Sequence, residues 1–457
     1  MKIKSFLMSV FTLSMMLTAC SDDDNINIDG GDTGEEETVT GEVSGIWERN
    51  STINVDGHLT IPQGKSLTIE EGVKIIVNTD GVGVNHTPIE IIVDGSLYCK
   101  GTEENPILFS IPEAERTSTN TFKGLWGGIV ATNNCPEMLI NHTVIEYTGG
   151  EVLTDSPSAL KEIYTPGDDN VPQITTNNVN GQYVIINSTL RNGVSDAIYM
   201  MGGKGIIANN LFVANGETGG EAINVKAGCK VEAAFNVIYS PNTNGLKLSS
   251  SGQNDEAGRY QALINAYNNT IINAGWRRDG TKGGSAYIEK NALVNVFNNL
   301  MVNCKFKAMV PSWGTPAPDA GCDNNSIINY NYYASGSQQS SLTQDIENGT
   351  ITAYAGYTLK NKNYNDAIDQ NSIISAFAGD DATNPKFINF PYNTNELNSY
   401  TYDNSWNFHV TADSPVLSGA CSDFSGKTFF NTNGLTINGQ SYTTPTPQAR
   451  FGAYGTN

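Results

Sequence analysis

The chain has 457 residues, with 47 acidic against 26 basic side chains and a formal net charge of −21, which excludes nucleic acid as a partner because phosphate binding needs a basic surface. Only His58, His86, His142 and His409 are present, and neither they nor the seven Cys show metal-ligand spacing, which excludes a structural zinc site. No helix-length amphipathic pattern occurs, so an all-β fold is expected and an α/β fold is not.

The chain opens with Lys2 and Lys4, an apolar segment from Phe6 to Met16, and then Leu17, Thr18, Ala19 and Cys20. A basic start, a short apolar core and a small residue before the cut make a secretory signal over 1–19, too short for a membrane span. The run ending in Cys20 resembles the bacterial lipoprotein box, which implies cleavage before Cys20 and lipid attachment to it. Ser21, Asp22, Asp23 and Asp24 are similar to the acidic export tag of Bacteroidota surface lipoproteins, which implies an outer-membrane lipoprotein exposed at the cell surface. A solvated acidic run is the plainer reading of the same four residues. From Asp22 to Glu37 there are eight acids and no Lys or Arg. Such a stretch cannot collapse, so residues 20–45 are expected to form a flexible tether.

Short β-rich runs follow: 53–55, 58–61, 66–69, 73–77, 89–93, 96–98, 107–110 and 126–129, with Gly57, Gly64 and Gly72 between the first of them. The matching segments Asp56-Gly57-His58-Leu59 and Asp94-Gly95-Ser96-Leu97 suggest one unit repeated with an insertion. Between Val152 and Asn180 a polar stretch with Pro157, Pro166 and Pro172 reads as a long loop, and its Asp168-Asp169 pair is a candidate cation site or a solvated turn.

The clearest signal lies further on, where residues 262–275 and 292–305 are nearly the same sequence. With the second Asn of each Asn-Asn pair as anchor, equivalents fall at Asn141, Asn187, Asn210, Asn236, Asn269, Asn299 and Asn325, spaced 46, 23, 26, 33, 30 and 26 residues apart. A period of this length without helices marks a parallel β-helix with three strands per coil, over residues 46–335. At a corner Asn tolerates a left-handed backbone, and stacked amides satisfy one another from coil to coil. Asn187, Asn210, Asn236, Asn269 and Asn299 are therefore assigned to a structural ladder. Residues 336–457 lose the coil pattern and read as loops, a closing strand set and a cap. Export permits a Cys304–Cys322 bridge, but β-helix stacks also bury free thiols, the favoured reading for Cys99, Cys135, Cys229, Cys304, Cys322 and Cys421.

Taken together, the segments 59–75, 101–109, 125–129 and 144–149, the Asn-centred coils, and the closing pieces 384–387, 408–410 and 414–416 resemble the right-handed parallel β-helix surface lipoproteins of Bacteroidota, which are pectin-lyase-like. The resemblance implies a right-handed solenoid. It also brings polysaccharide lyases and pectin-type hydrolases into view, although no Trp-Ile-Asp-His-like segment and no paired-Asp motif stands within the coils.

Two functional classes stay open. Asp196 and Glu221 precede equivalent strands in successive coils and should stack about 5 Å apart, able to bind Ca2+ or to raise one pKa. With Arg191, Lys226, Lys247 and the Trp276-Arg277-Arg278 insertion nearby, they form a candidate cation or glycan site, or, for a lyase or hydrolase of uronate polysaccharide, a catalytic one. Tyr199, Tyr239, Tyr260, Tyr267, Trp276, Tyr287 and Trp313 offer aromatic faces for a sugar chain, or simply follow the strand preference of Tyr. A non-catalytic β-helix that binds a dietary or host glycan, or mediates adhesion, is the first reading. No catalytic residue is specified.

Overall fold

A computed structural model describes residues 36–168, 170–217, 219–279, 283–305, 310–311, 322–334, 352–353, 357–358, 371–374, 381–394 and 396–456. Cys20, Ser21, Asp22, Asp23, Asp24, Asp169 and Trp313 lie outside the described residues. Each coil contributes one strand to each of three parallel ladders, the three-strand unit read from the repeat. The first, here the cleft sheet, contains Ile129–Ala131, Ile174–Thr176, Ile198–Met200, Ile223–Val225, Asn244–Ser249 and Gly284–Glu289. The second, the flank sheet, runs from Ile107–Ser110 through Thr189–Arg191, Leu211–Val213 and Val237–Tyr239 to Tyr332–Ala334. The third, the wrapped sheet, runs from Gly45–Trp47 through Ser96–Lys100 and Cys229–Ala234 to Ile327–Ile328.

The register explains the core. Partners in adjacent coils are Leu59, Ile91, Ile129, Ile174, Ile198, Ile223, Leu246 and Ala286 on the cleft sheet, all buried. On the wrapped sheet the column is Trp47, Ile69, Cys99, Ile140, Ile185, Ile207, Ala233, Ala266, Val296 and Ile328. Alternation with period two sends every second side chain inward, so like stacks on like along the axis. Right-handed crossover is the sense that parallel connections of this kind adopt. The six described Cys are free and buried, behaving as small apolar side chains within the stack.

One corner is built by the Asn-Asn pairs. The first member turns the chain left-handed, as at Asn209, Asn268 and Asn298 with φ of 57°, 51° and 55°. The second joins a buried amide row: Asn210, Asn236, Asn269, Asn299 and Asn331 are linked in order, each Oδ1 accepting both the backbone N–H and the Nδ2–H of its predecessor at 2.9–3.2 Å. Three anchors differ from expectation. Asn187 is itself the left-handed residue, φ 51°, and Ser188 occupies the row in its place, its N–H bonded to Asn210 Oδ1. Asn141 sits at a strand end opposite Ile186, where Thr143 joins the row through Ser188 Oγ, and Asn325 lies in a turn six residues before the row member Asn331. Ser and Thr carry the same short-range polar function, so spacing on Asn alone misplaces the register there.

Four other expectations are corrected. Glu36–Glu42, placed in the tether, forms a strand on Thr52–Ile61, because Thr38, Val39 and Thr40 suit a strand and the acids face water. The two Asp-Gly segments are not equivalent: Leu59 pairs with Ile91 on the cleft sheet and Leu97 with Leu67 on the wrapped sheet. Thr52–Ile61 passes through Gly57 without a break and spans a corner, its first half paired with Lys74–Val77 and its second with Ile91–Val93. Residues 152–180 are not one loop, since Ile174–Thr176 is a strand of the cleft sheet and only 152–172 form an arm, carrying the short helix Pro157–Leu160.

The described C-terminal residues do more than close an end. Tyr392, Phe408, Val410, Val416, Phe451 and Ala453 cover the flank sheet over Val213, Tyr239, Ile272 and Val302. Phe429, Phe430, Leu435 and Ile437 cover the wrapped sheet over Tyr98, Leu139, Val184 and Ile206. Outward apolar side chains on these two sheets demand a cover, and the chain's own tail supplies it.

Candidate functional site

Among the described residues the tail thus covers much of two outer faces, and the third keeps an open cleft beside the arm. On the cleft sheet the register carries an outward row, Thr175, Tyr199, Asn224, Lys247 and Tyr287, in which Lys247 is the charged member. The arm 152–172 packs over the N-terminal coils through Val152 and Val171 on Ile92 and Val130, with Ile163 and Tyr164 beside them. Where the arm stops, an open cleft of about 610 Å³ remains, lined by Tyr164 and Asp168 from the arm and by Asp196, Tyr199, Glu221, Asn224, Lys226 and Lys247 from three coils.

The arm is a built wall. Ser158 N–H and Oγ–H both donate to the buried Glu90 carboxylate at 2.8 Å, Lys161 pairs with Asp94 at 2.8 Å, and Asp155 accepts from Thr87 at 2.7 Å. Burial raises the Glu90 pKa to about 7, against the lowering effect of the Ser158 bonds. Tyr164 Oη lies 2.7 Å from Thr175 Oγ1, which fixes its ring 6.5 Å from that of Tyr199.

Asp196 and Glu221 do stack in successive coils. Asp196 Oδ1 accepts the Glu221 N–H at 2.7 Å, and its Oδ2 accepts Asn224 Nδ2–H at 2.7 Å. Burial, then the neighbouring Glu221 carboxylate, raises the Asp196 pKa well above the usual carboxylate range. Glu221 Oε1 accepts from Asn244 at 3.2 Å and lies 3.9 Å from Lys247 Nζ, which also lies 3.8 Å from Glu289. The charge that meets Glu221 is therefore an ammonium rather than an open coordination position. Burial works to lower the Lys247 pKa, but the carboxylates of Glu221 and Glu289 outweigh it and raise it. Lys226, 5.3 Å from the Tyr199 ring centroid, is lowered by burial and by the charge of Lys247.

The acids face each other and their own scaffold. Glycoside hydrolysis needs two carboxylates about 5 Å or more apart on either side of a sugar, and this pair does not supply that arrangement. The side chains that line the cleft include the Tyr199 ring, the Lys226 and Lys247 ammonium groups and Asn224, whose Oδ1 is buried and accepts from no described residue. A buried acceptor left open costs about 1–3 kcal/mol.

Residues 20–156 match the family model of the pectate-lyase-like β-helix domain. No curated protein matches the chain. The matched region supplies the first coils and the start of the arm but stops before Asp196, so it accounts for the fold and leaves the cleft chemistry to its own residues.

The Trp276-Arg277-Arg278 insertion is not part of the cleft. Arg277 is turned inward: Nη1 donates to Gly216 O at 2.6 Å, Nη2 to Asn215 O and Ser240 O at 2.9 Å, and the guanidinium lies 4.7 Å from the Phe122 ring centroid. Burial lowers its pKa to about 10. Trp276 Nε1 donates to Asn303 O at 2.6 Å, and the Arg278 carbonyl accepts from Lys305. Arg191 pairs with Glu146 at 2.7 Å on the flank sheet. Of the aromatic set, Tyr199 lines the cleft and Tyr287 extends its row, whereas Tyr239 and Tyr267 are buried beneath the C-terminal cover. Tyr260 is exposed but does not line it. Asn224 and Tyr164 were not singled out in the sequence, whereas the arm lies within the 152–180 stretch read there as a loop. Asn224 was recoverable, since it is the Tyr199 equivalent one coil on.

Proposed function

We propose that the protein is a non-catalytic glycan-binding β-helix whose binding site is the open cleft between the arm and the Asp196–Lys247 coils. The observation that carries this reading is the contrast among the three faces. Among the described residues two are largely covered by apolar side chains of the same chain, while the third gathers an aromatic ring, amides and ammonium groups in one concavity. Sugars need this mixture, because their hydroxyls both donate and accept and their ring faces are apolar. The lipobox-like run before Cys20 and the acidic residues after it support display of this site at the outer surface of the cell, on a lipid anchor.

A second reading, cleavage of a uronate polysaccharide by elimination, is favoured by one observation. Lys226, its pKa lowered, and Asp196, its pKa raised, line the same cleft, a candidate base and a candidate acid together. The two readings separate in one experiment. Purified protein is incubated with polysaccharides and assayed both for retention and for unsaturated or reducing ends. Retention without product, weakened by Asn224→Ala, supports binding. Product formation that is lost in Lys226→Ala replaces binding by catalysis.

A further inference from the structure

A second cleft, of about 430 Å³, lies on the flank sheet. Its floor is Leu211 and Val237, register partners in adjacent coils, and its walls are Tyr402, Trp406, Phe408, His409 and Tyr454 from the C-terminal cover. The Trp406 ring is held in place by Tyr239, Phe390 and Tyr402, at centroid distances of 4.9, 5.0 and 5.2 Å and steep angles. His409 and Tyr454 stack at 4.5 Å and 25°, and Tyr454 keeps 39% of its surface exposed.

The polar atoms here are unusual for so aromatic a place. Among the described residues no partner accepts from Trp406 Nε1–H, Tyr402 Oη–H or Tyr454 Oη–H, and the Trp406 and Tyr402 tips keep contact with solvent, so these donors are open to a ligand. Asn407 Oδ1 accepts both the backbone N–H of His409 and its Nδ1–H at 2.9 Å, which leaves Nε2 as an acceptor in the neutral ring. Burial, then the Arg450 charge, lowers the His409 pKa, and burial followed by the Tyr454 neighbour raises Tyr402 to about 12, so the ring stays neutral and the phenol keeps its proton.

We infer that this cleft is a second carbohydrate site, taking one pyranose unit against the His409–Tyr454 stack, with hydroxyls bonded to Trp406 Nε1, Tyr402 Oη and His409 Nε2. An apolar or aromatic metabolite would fit the ring walls but would leave three donors and an acceptor unmet. That mismatch selects the sugar. The site does not depend on the cleft-sheet reading, and it sits on a different face.

The test uses the protein labelled with fluorotryptophan, its Trp406 resonance assigned by Trp406→Phe, and titrated with hexasaccharides of glucan, xylan, galactan and mannan. A saturable shift at Trp406 with at least one saccharide is expected, weakened about tenfold or more by Tyr454→Ala and unaffected by Tyr199→Ala. His409→Gln, which keeps the strand in place, is expected to weaken the same binding and guards against misfolding of the first variant. No shift with any saccharide overturns the inference, as does a shift produced by free indole alone. So does a saccharide affinity unchanged in both Tyr454→Ala and His409→Gln.

Discussion

Removing one amide from the buried Asn row, by Asn269→Ala, should destabilise the solenoid more than removing the similar amide of Asn187. Asn269 Oδ1 accepts the N–H of Asn236 at 3.0 Å and its Nδ2–H at 2.9 Å, while its own Nδ2 donates to Asn299 Oδ1 and Ala233 O at 2.9 Å. The substitution strands two donors on Asn236, a residue with no exposed surface. At about 1–3 kcal/mol for each buried group left unsatisfied, the loss is about 4 kcal/mol. Asn187 makes one side-chain bond in the row's vicinity, to Asn141 Oδ1 at 2.9 Å, and is partly exposed. Its replacement by Ala costs about 1 kcal/mol for the bond and about 1–2 more for a left-handed Ala. Because a solenoid can open locally, denaturant midpoints should be accompanied by amide exchange at Asn236. The loss of 4 kcal/mol corresponds to roughly thousandfold faster exchange there in Asn269→Ala. Equal costs for the two variants, or unaltered exchange at Asn236, would refute the assignment of the row.

Two further outcomes follow from the arm and the tail. Glu90, with its pKa raised to about 7 in the folded chain from an ordinary 4.5, binds more protons folded than unfolded between those values, so its ionisation removes stability as pH rises through that window. Glu90→Gln should therefore stabilise the protein by about 2–3 kcal/mol at pH 8 and do little at pH 4, measured by denaturation at both; an equal effect at the two pH values contradicts it. On the wrapped sheet the buried Glu232 carboxylate accepts Phe429 N–H at 2.5 Å, Phe430 N–H at 2.8 Å and Thr444 Oγ1–H at 2.6 Å. Glu232→Ala should release the tail and speed its limited proteolysis between residues 421 and 448 by about tenfold or more, at a loss of about 3 kcal/mol in its docking, whereas unaltered cleavage would show that the apolar cover alone holds it.

The architecture was legible because a stacked coil writes its contacts at a fixed period. Ile198, Ile223 and Leu246 occupy one column and can be aligned by counting. The same counting placed Asp196 and Glu221 in register. It failed where chemistry substitutes for identity, as when Ser188 stands in the Asn row, and where similar sequence stands at two different places in the coil, as at Asp56 and Asp94. Contacts across long separations were not legible at all. Nothing near Arg277 in the sequence points to Phe122, and nothing near Glu232 points to Phe429, because tail and insertion pack on coils far from their own position. For the same reason the arm's role as a wall of the cleft was not legible: it is held through Ser158 on Glu90, a contact 68 residues long.

Whether the open face binds sugar is tested most directly by titrating the purified protein with oligosaccharides in a calorimeter, alongside Asn224→Ala and Tyr199→Ala. The cleft geometry predicts saturable binding to at least one glycan class, weakened about tenfold by either substitution, with no new reducing or unsaturated ends after incubation. Binding unchanged in both variants, or no binding across neutral and acidic glycans, would contradict the assignment of this cleft.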